Sequence, residues 1–165
     1  MNLGIICEFN PFHKGHKHLI DSVKKDDNKI ICAMSGNFVQ RGEMAVYDKY
    51  QRARVALENG ADLVIEIPTV CSTLSAQGFA RAGVEILEAT GICQGIAFGA
   101  ECDNTDELLN ISKEIIEKDE EIKAQLKSGV SYPRARREVI DSPLLDSPNN
   151  ILAIEYLTCT SLKPY

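Results

Sequence analysis

Four short apolar runs recur along the chain, and longer segments with helical spacing separate them. The runs cover residues 3–7, 29–34, 63–67 and 95–99. They are rich in β-branched side chains and nearly continuous, which is typical of strands buried on both faces of a parallel sheet. The intervening residues 15–25, 48–59 and 75–90 place apolar side chains three or four positions apart. This alternation predicts a doubly wound α/β domain with right-handed crossovers.

The helical segments also predict which side chains face the sheet. In residues 48–59 the inward side chains are expected to be Tyr50, Ala53, Val55, Ala56 and Leu57. The Asn59-Gly60 pair supplies a helix end.

Beyond residue 99 the pattern predicts added helices. Residues 105–127 form one charged amphipathic segment whose apolar face includes Leu108, Ile115 and Ile116. A short helix follows from Tyr132, and a last helix opens near Ser147 with Pro148 in its first turn. The final residues 162–165 are typical of the approach to a further strand.

Composition and charge limit the classes of protein to which the chain could belong. With 165 residues, 44% of them hydrophobic and 25% charged, the chain is expected to form one globular domain over residues 1–165. No apolar run is long enough for a membrane span or a signal sequence, so a cytoplasmic protein is expected. The net charge of −6 argues against binding nucleic acid through bulk electrostatics. Six cysteines occur without a CxxC pair, which favours reduced thiols over a zinc ribbon.

The chemistry concentrates in the stretch CEFNPFHKGHKHL, residues 7–19. It contains all three histidines, His13, His16 and His18, and follows the first predicted strand. Ligands of such folds bind at the carboxyl ends of the strands, and the free N–H groups of a helix that opens at Gly15 attract phosphate. Two imidazoles there could donate hydrogen bonds to the α and β phosphates as charge develops during attack on the α-phosphorus. The HxGH pattern therefore predicts adenylyl transfer, and the absence of a GxxxxGK[ST] motif leaves γ-phosphoryl transfer unsupported.

Two other interpretations of these histidines stay open. His13, His16 and His18 could bind zinc, although His16 and His18 lie on different helix faces and no nearby cysteine completes a tetrahedron. His13 and His16 could also be purely structural. No protein side chain is assigned to a metal.

The longer sequence blocks carry a resemblance to a known family. They are EFNPFHKGH, MSGNFVQRGEMAVYDKYQRARVALENGADLVIEIP, FARAGVEIL, FGAE, SYPRARRE and SPNNILAIEYL. Together they resemble the amino-terminal portion of the bacterial tRNA(Met) cytidine acetate ligases, which belong to the HxGH nucleotidyltransferase superfamily with its Rossmann-like HUP fold. The likeness extends over essentially the whole chain.

The resemblance implies an enzyme that activates acetate with ATP and releases pyrophosphate. The acetyl group then passes to N4 of the wobble cytidine in elongator tRNA(Met), and Mg²⁺ is expected to accompany ATP. The resemblance implies that His13 and His16 are catalytic. It also implies that ATP lies along residues 6–19 and meets three further positions, so the expected ATP-binding residues are Ile6, Cys7, Glu8, Phe9, Asn10, Pro11, Phe12, Lys14, Gly15, His18, Leu19, Gly99, Asn149 and Asn150.

Weaker candidates lie in two other segments. Ser35, Gln40 and Arg41 follow the second strand, where a loop could meet acetate or the cytidine. For Arg41 a structural salt bridge is the alternative. The basic cluster Arg134, Arg136 and Arg137 could contact RNA phosphates, and a solvated surface cluster is the alternative.

Members of the family resembled are longer than this chain. The segment that follows Tyr165 in them supplies a further strand, an ATP-contacting arginine and a second conserved motif, and a tRNA-binding region lies beyond. The chain could be a fragment or a naturally short protein. Weak or absent ATP affinity and ligase activity are therefore expected of it, together with an open sheet edge near the carboxyl terminus where it could self-associate.

Two alternative functions stay open. One is an adenylyltransferase that acts on a small phosphate-bearing metabolite. The other is an inactive nucleotide-binding or structural remnant.

Overall fold

In the computed structural model, which describes residues 1–25 and 27–165, the chain forms two compact units. The first comprises Met1–Phe98 and Cys159–Tyr165, and the second comprises Gly99–Thr158.

The first unit is built on a parallel sheet of five strands. They are β1 (Leu3–Cys7), β2 (Ile30–Ser35), β3 (Leu63–Ile67), β4 (Gly95–Ile96) and β5 (Lys163–Pro164), in the spatial order β3-β2-β1-β4-β5. The order reverses between β1 and its two neighbours β2 and β4, so the carboxyl end of β1 lies at the topological switch point. The predicted doubly wound parallel sheet is confirmed.

Two expectations for the far side of the sheet need correction. The fourth strand was expected over residues 95–99 but covers only Gly95–Ile96. The fifth strand was expected to be absent, yet Lys163 and Pro164 already pair with β4 in parallel. Within the described residues, β5 and not β4 is the outermost strand on this side of the sheet.

Helices cover both faces of this sheet. They are α1 (Lys14–Val23), α2 (Lys49–Glu58), the single turn α3 (Thr69–Ser72) and α4 (Ala76–Ala89). Side chains alternate along β1, so Leu3, Ile5 and Cys7 join the core cluster with α1 and α2. The opposite face meets α4, where Gly83 lies so close to Ile6 that a Cβ at Gly83 would approach the Ile6 side chain to 2.7 Å.

The inward face of α2 differs from the predicted one. Asp48 caps the helix by accepting hydrogen bonds from Tyr50 N (2.9 Å) and Gln51 N (3.0 Å). Only Ala56 of the predicted apolar set is fully buried, whereas Tyr50 is 75% exposed. Val55 and Leu57 are also exposed, and the residue that joins Ala56 in the interior is Arg52.

The position of β3 explains this difference. It was expected to be buried on both faces, but it lies at the edge of the sheet and only Ile67 is fully buried. An edge strand and the helix beside it have less protein to pack against, so their apolar side chains stay accessible.

The second unit is helical. It contains α5 (Thr105–Glu117), α6 (Asp119–Lys127), α7 (Tyr132–Val139), a 3₁₀ turn (Pro143–Asp146) and most of α8 (Pro148–Cys159). Residues 105–127 were expected to form one helix, but the backbone breaks at Lys118, and Ile116 is 55% exposed. The added helices are confirmed, and the single long one is wrong.

No helix in the described part of the chain is long and apolar enough to cross a membrane. All six cysteines are free thiols, and Cys7 and Cys32 lie in the core.

Candidate nucleotide-binding site

The candidate site begins where β1 ends. Residues 8–13 lead from the sheet to the first turn of α1, and Phe9 adopts the left-handed conformation with φ of 48°. Non-glycine residues seldom adopt this conformation, and they keep it where surrounding packing enforces it. Phe9 is 1% exposed, and its ring lies 4.9 Å from those of Phe12 and His16. The buried Phe9 ring therefore packs against His16 of the HxGH motif.

His13 and His16 cap the first turn of α1 reciprocally. The Nδ1 atom of His13 accepts a hydrogen bond from Gly15 N at 3.1 Å, and Nδ1 of His16 accepts one from His13 N at 3.3 Å. This is the geometry of a capping box with imidazoles in place of the usual hydroxyl and carboxyl groups. The two rings stack with centroids 3.6 Å apart. The motif thus defines the start of the helix as well as the side chains displayed there.

The caps determine which ring nitrogen of each histidine carries a proton. Because both Nδ1 atoms accept hydrogen bonds from backbone N–H groups, the neutral imidazoles carry their protons on Nε2. Burial, and next the neighbouring His13, lower the pKa of His16 to about 4. At neutral pH His16 is therefore an uncharged donor with Nε2–H free of the caps.

The surroundings favour an anion at this helix end. The first turn of α1 contains no acidic side chain, and Lys14 is exposed there. Partial positive charge at a helix N-terminus attracts phosphate groups. A Cβ at Gly15 would lie 3.0 Å from Cε1 of His13, so the glycine leaves room for the capping ring.

Other predicted residues of this segment have different surroundings. Ile6 and Cys7 are buried strand positions whose side chains pack in the core. The amide of Asn10 accepts a hydrogen bond from Val46 N at 2.7 Å, so its side chain connects two loops. The Glu8 carboxylate accepts from Gln40 N at 2.6 Å, and burial raises the pKa of this carboxyl.

Four further positions surround the histidines. Pro11 and Phe12 line a small cavity together with Tyr47 and Val55 of the same unit. His18 is exposed, and Leu19 is partly buried against the core.

The loop after β2 contributes a buried side chain and a hydrogen bond to the segment that leads to the HxGH motif. Ser35 is fully buried, which overturns the expectation that its side chain meets a substrate. Gln40 donates its backbone N–H to Glu8. Arg41 is exposed with φ of 72°, and it forms no ion pair with the residues the structure describes.

Three predicted residues belong to the second unit. A Cβ added to Gly99 would meet no atom within 4 Å. The buried Asn150 accepts hydrogen bonds through Oδ1 from Glu101 N and Cys102 N, both at 2.9 Å. Asn149 is exposed and donates Nδ2–H to Glu101 Oε1 at 3.0 Å.

Glu101 caps α8 from within the same unit. Its carboxylate also accepts from Asn149 N at 3.3 Å and Asn150 N at 2.8 Å. Although burial raises the pKa of Glu101, the hydrogen bonds from Asn150 and Asn149 outweigh it and hold the pKa below its usual value. Glu101 was not among the predicted residues, and its signal was its place in FGAE, two residues after the predicted Gly99.

The arginines of the predicted RNA-binding cluster form ion pairs with carboxylates. Arg136 is 3% exposed and forms a buried ion pair with Glu155, so the expectation that it contacts RNA is wrong. Arg134 pairs with Glu138 at 2.8 Å, and Arg137 pairs with Asp146.

Among residues 1–25 and 27–165 no group of three or more His, Cys, Asp or Glu side chains could hold a metal ion. The zinc interpretation of His13, His16 and His18 therefore receives no support from the geometry.

Arg52 was also absent from the predicted residues. This arginine is 2% exposed and donates to backbone carbonyl groups at the ends of β1 and β2. Its only sequence signal was a spacing of four residues from the buried Ala56, which many exposed helical arginines share.

A five-stranded parallel sheet with a histidine-capped helix at its switch point defines a nucleotidyltransferase-type α/β domain. The family model described as HIGH Nucleotidyl Transferase matches residues 1–163, and the chain belongs to this family.

The chain is also similar to longer proteins named tRNA(Met) cytidine acetate ligase. The protein of Halothermothrix orenii is 40% identical, over 94% of this chain and 42% of its own length. That of Clostridium novyi is 44% identical, over 98% of this chain and 44% of its own length. The chain thus spans less than half of these relatives.

A solved structure agrees with the fold. The crystal structure of Thermotoga maritima TmcAL bound with alpha-thio ATP matches with a TM-score of 0.88 and 34% sequence identity. The match covers 99% of this chain and 45% of that chain.

Proposed function

We propose that this chain binds ATP and carries the HxGH step of a tRNA(Met) cytidine acetate ligase. The observation that carries the proposal is the reciprocal histidine cap at the N-terminus of α1, at the switch point of the sheet. The names of the relatives and the ATP analogue bound to Thermotoga maritima TmcAL support the choice of nucleotide and reaction.

In the first step, an acetate oxygen attacks the α-phosphorus of ATP. The bond from that phosphorus to the bridging oxygen breaks, acetyl-adenylate forms, and pyrophosphate leaves with the electron pair. The Nε2–H groups of His13 and His16 and the N–H groups that open α1 donate to the phosphate oxygens as negative charge grows on the leaving group. Preorganised N–H donors suit this task because they stabilise the developing charge without having to reorient.

In the second step, N4 of the wobble cytidine attacks the acetyl carbonyl carbon. The amine loses a proton, the carbon–oxygen bond to the phosphate breaks, and AMP leaves. A tRNA substrate implies a cytoplasmic enzyme.

Mg²⁺ is proposed to arrive with ATP and to neutralise phosphate charge. The ion would be bound mainly by phosphate oxygens and water.

The test is exchange of labelled pyrophosphate into ATP, with and without acetate. The expected result is weak exchange that requires acetate and falls to background in His16→Ala. Exchange that needs a phosphate-bearing metabolite instead would identify a small-molecule adenylyltransferase. ATP binding without any exchange would identify an inactive nucleotide-binding remnant.

A further inference from the structure

The guanidinium of Arg52 is buried, and each of its nitrogens donates to groups of the first unit. Its Nε donates to Tyr47 O at 3.1 Å and its Nη2 to Ser35 O at 3.1 Å. Nη2 also donates to Gly36 O, and Nη1 donates to Glu8 O and, at 3.5 Å, to Ser35 Oγ. These hydrogen bonds match the five N–H donors of an arginine, so none is left for a ligand.

The acceptors share one location. Glu8 follows the last residue of β1, Ser35 and Gly36 end β2, and Tyr47 precedes α2. One side chain therefore joins three chain segments by hydrogen bonds at the carboxyl ends of the strands. A lysine has three donors on a single atom and could not span these acceptors.

The segment that begins at Glu8 leads directly to His13 and His16. Glu8 immediately precedes Phe9, whose left-handed backbone directs a buried ring against His16. A second connection joins the same loops, because Asn10 Oδ1 accepts from Val46 N at 2.7 Å. The carbonyl of Glu8 thus anchors the start of the loop, and Asn10 holds its middle.

We infer that Arg52 is the positioning residue of the HxGH loop and controls nucleotide affinity without touching the nucleotide. The inference rests on the proposed ATP binding at that loop. It differs from a role for Arg52 as a buried positive charge that attracts the triphosphate through space.

Substitution by lysine separates these roles, because Arg52→Lys keeps the charge and loses the span of hydrogen bonds. The matched control is Arg54→Lys, the same change at an exposed position of α2. Titration calorimetry with ATP is expected to show affinity at least tenfold weaker for Arg52→Lys and within twofold of the original chain for Arg54→Lys. Unchanged affinity in Arg52→Lys would overturn the inference.

A second readout does not involve ATP. A loosened loop would expose the His16 ring, so NMR titration of the imidazole signals should show its pKa rising from about 4 toward the usual value in Arg52→Lys only. An unaltered His16 titration would overturn the positioning role even if affinity fell.

If Arg52→Lys does not fold, Asn10→Ala removes the second connection between the same loops. Because Asn10 is itself an expected ATP-binding residue, the readout for this variant is the pKa of His16, which is expected to rise. An unaltered His16 pKa would overturn the inference. If the unsubstituted chain does not bind ATP, both the proposed function and this inference fail. Equal ATP binding by all variants, in contrast, would overturn only the inference.

Discussion

At the scale of residues, the two histidines of the motif serve the fold and the proposed chemistry with different atoms. Their Nδ1 atoms accept hydrogen bonds from the backbone and begin the helix, and their Nε2–H groups are available for phosphate. The HxGH pattern pointed to these residues because histidines at this spacing after a strand are rare. The same pattern did not predict the cap, since it depends on how the backbone turns after Phe9.

The low pKa of His16 predicts a dependence of stability on pH. As pH falls from about 6.5 to about 4, the unfolded chain binds a proton at His16 and the folded chain does not, so the free energy of unfolding should decrease across that window. His16→Gln keeps an acceptor at the third helical position but does not titrate. Urea unfolding at several pH values should show a shallower decline for this variant, with His18→Gln as control. Identical declines in all three proteins would contradict the prediction.

Gly99→Ala tests whether a nucleotide approaches that residue. Because an added Cβ would meet no atom within 4 Å, the free energy of unfolding should stay unchanged or rise by up to about 1 kcal/mol. If the ATP contact that the resemblance implies for Gly99 is made, the added methyl group should weaken ATP binding severalfold by calorimetry. Unaltered affinity would remove Gly99 from the ATP-binding residues expected from the sequence.

At the scale of elements, periodicity located most helices and strands, because the spacing of apolar residues records which face is covered. Periodicity failed where contacts with residues distant in the sequence decide which side chains are buried. Nothing in LVIEI shows that β3 is an edge strand, and this position leaves Tyr50 and Leu57 of the neighbouring α2 exposed. The break at Lys118 was likewise hidden, since α5 and α6 each continue the amphipathic pattern.

The buried ion pair between α7 and α8 predicts a large effect of substitution. Glu155→Gln removes one charge and leaves Arg136 uncompensated in the interior, which should cost about 3–5 kcal/mol of unfolding free energy. The exposed pair of Arg134 and Glu138 is the control, and Glu138→Gln should cost less than about 1 kcal/mol. Chemical denaturation measures both values. Similar small losses would show that the Arg136–Glu155 pair is not buried as described.

At the scale of the whole molecule, the class of fold and the HxGH loop could be predicted from the sequence. The particular reaction came from the resemblance, because sheets of this order serve many chemistries and a histidine pair does not specify acetate. Arg52 and Glu101 could not be predicted, since each acts through contacts with residues distant in the sequence. The chain spans less than half of the relatives it matches, so its own nucleotide binding is the property to establish first.

Calorimetric titration of this chain with ATP and magnesium, beside His16→Ala and Ser22→Ala, measures nucleotide binding at the HxGH loop. Ser22 is an exposed residue of α1 and is not among the expected ATP-binding residues. We expect the original chain and Ser22→Ala to bind ATP with similar affinity, and His16→Ala to bind it at least tenfold more weakly because a phosphate donor and half of the helix cap are removed. Equal binding by all three proteins, or no binding by the original chain, would contradict a nucleotide site at the HxGH loop.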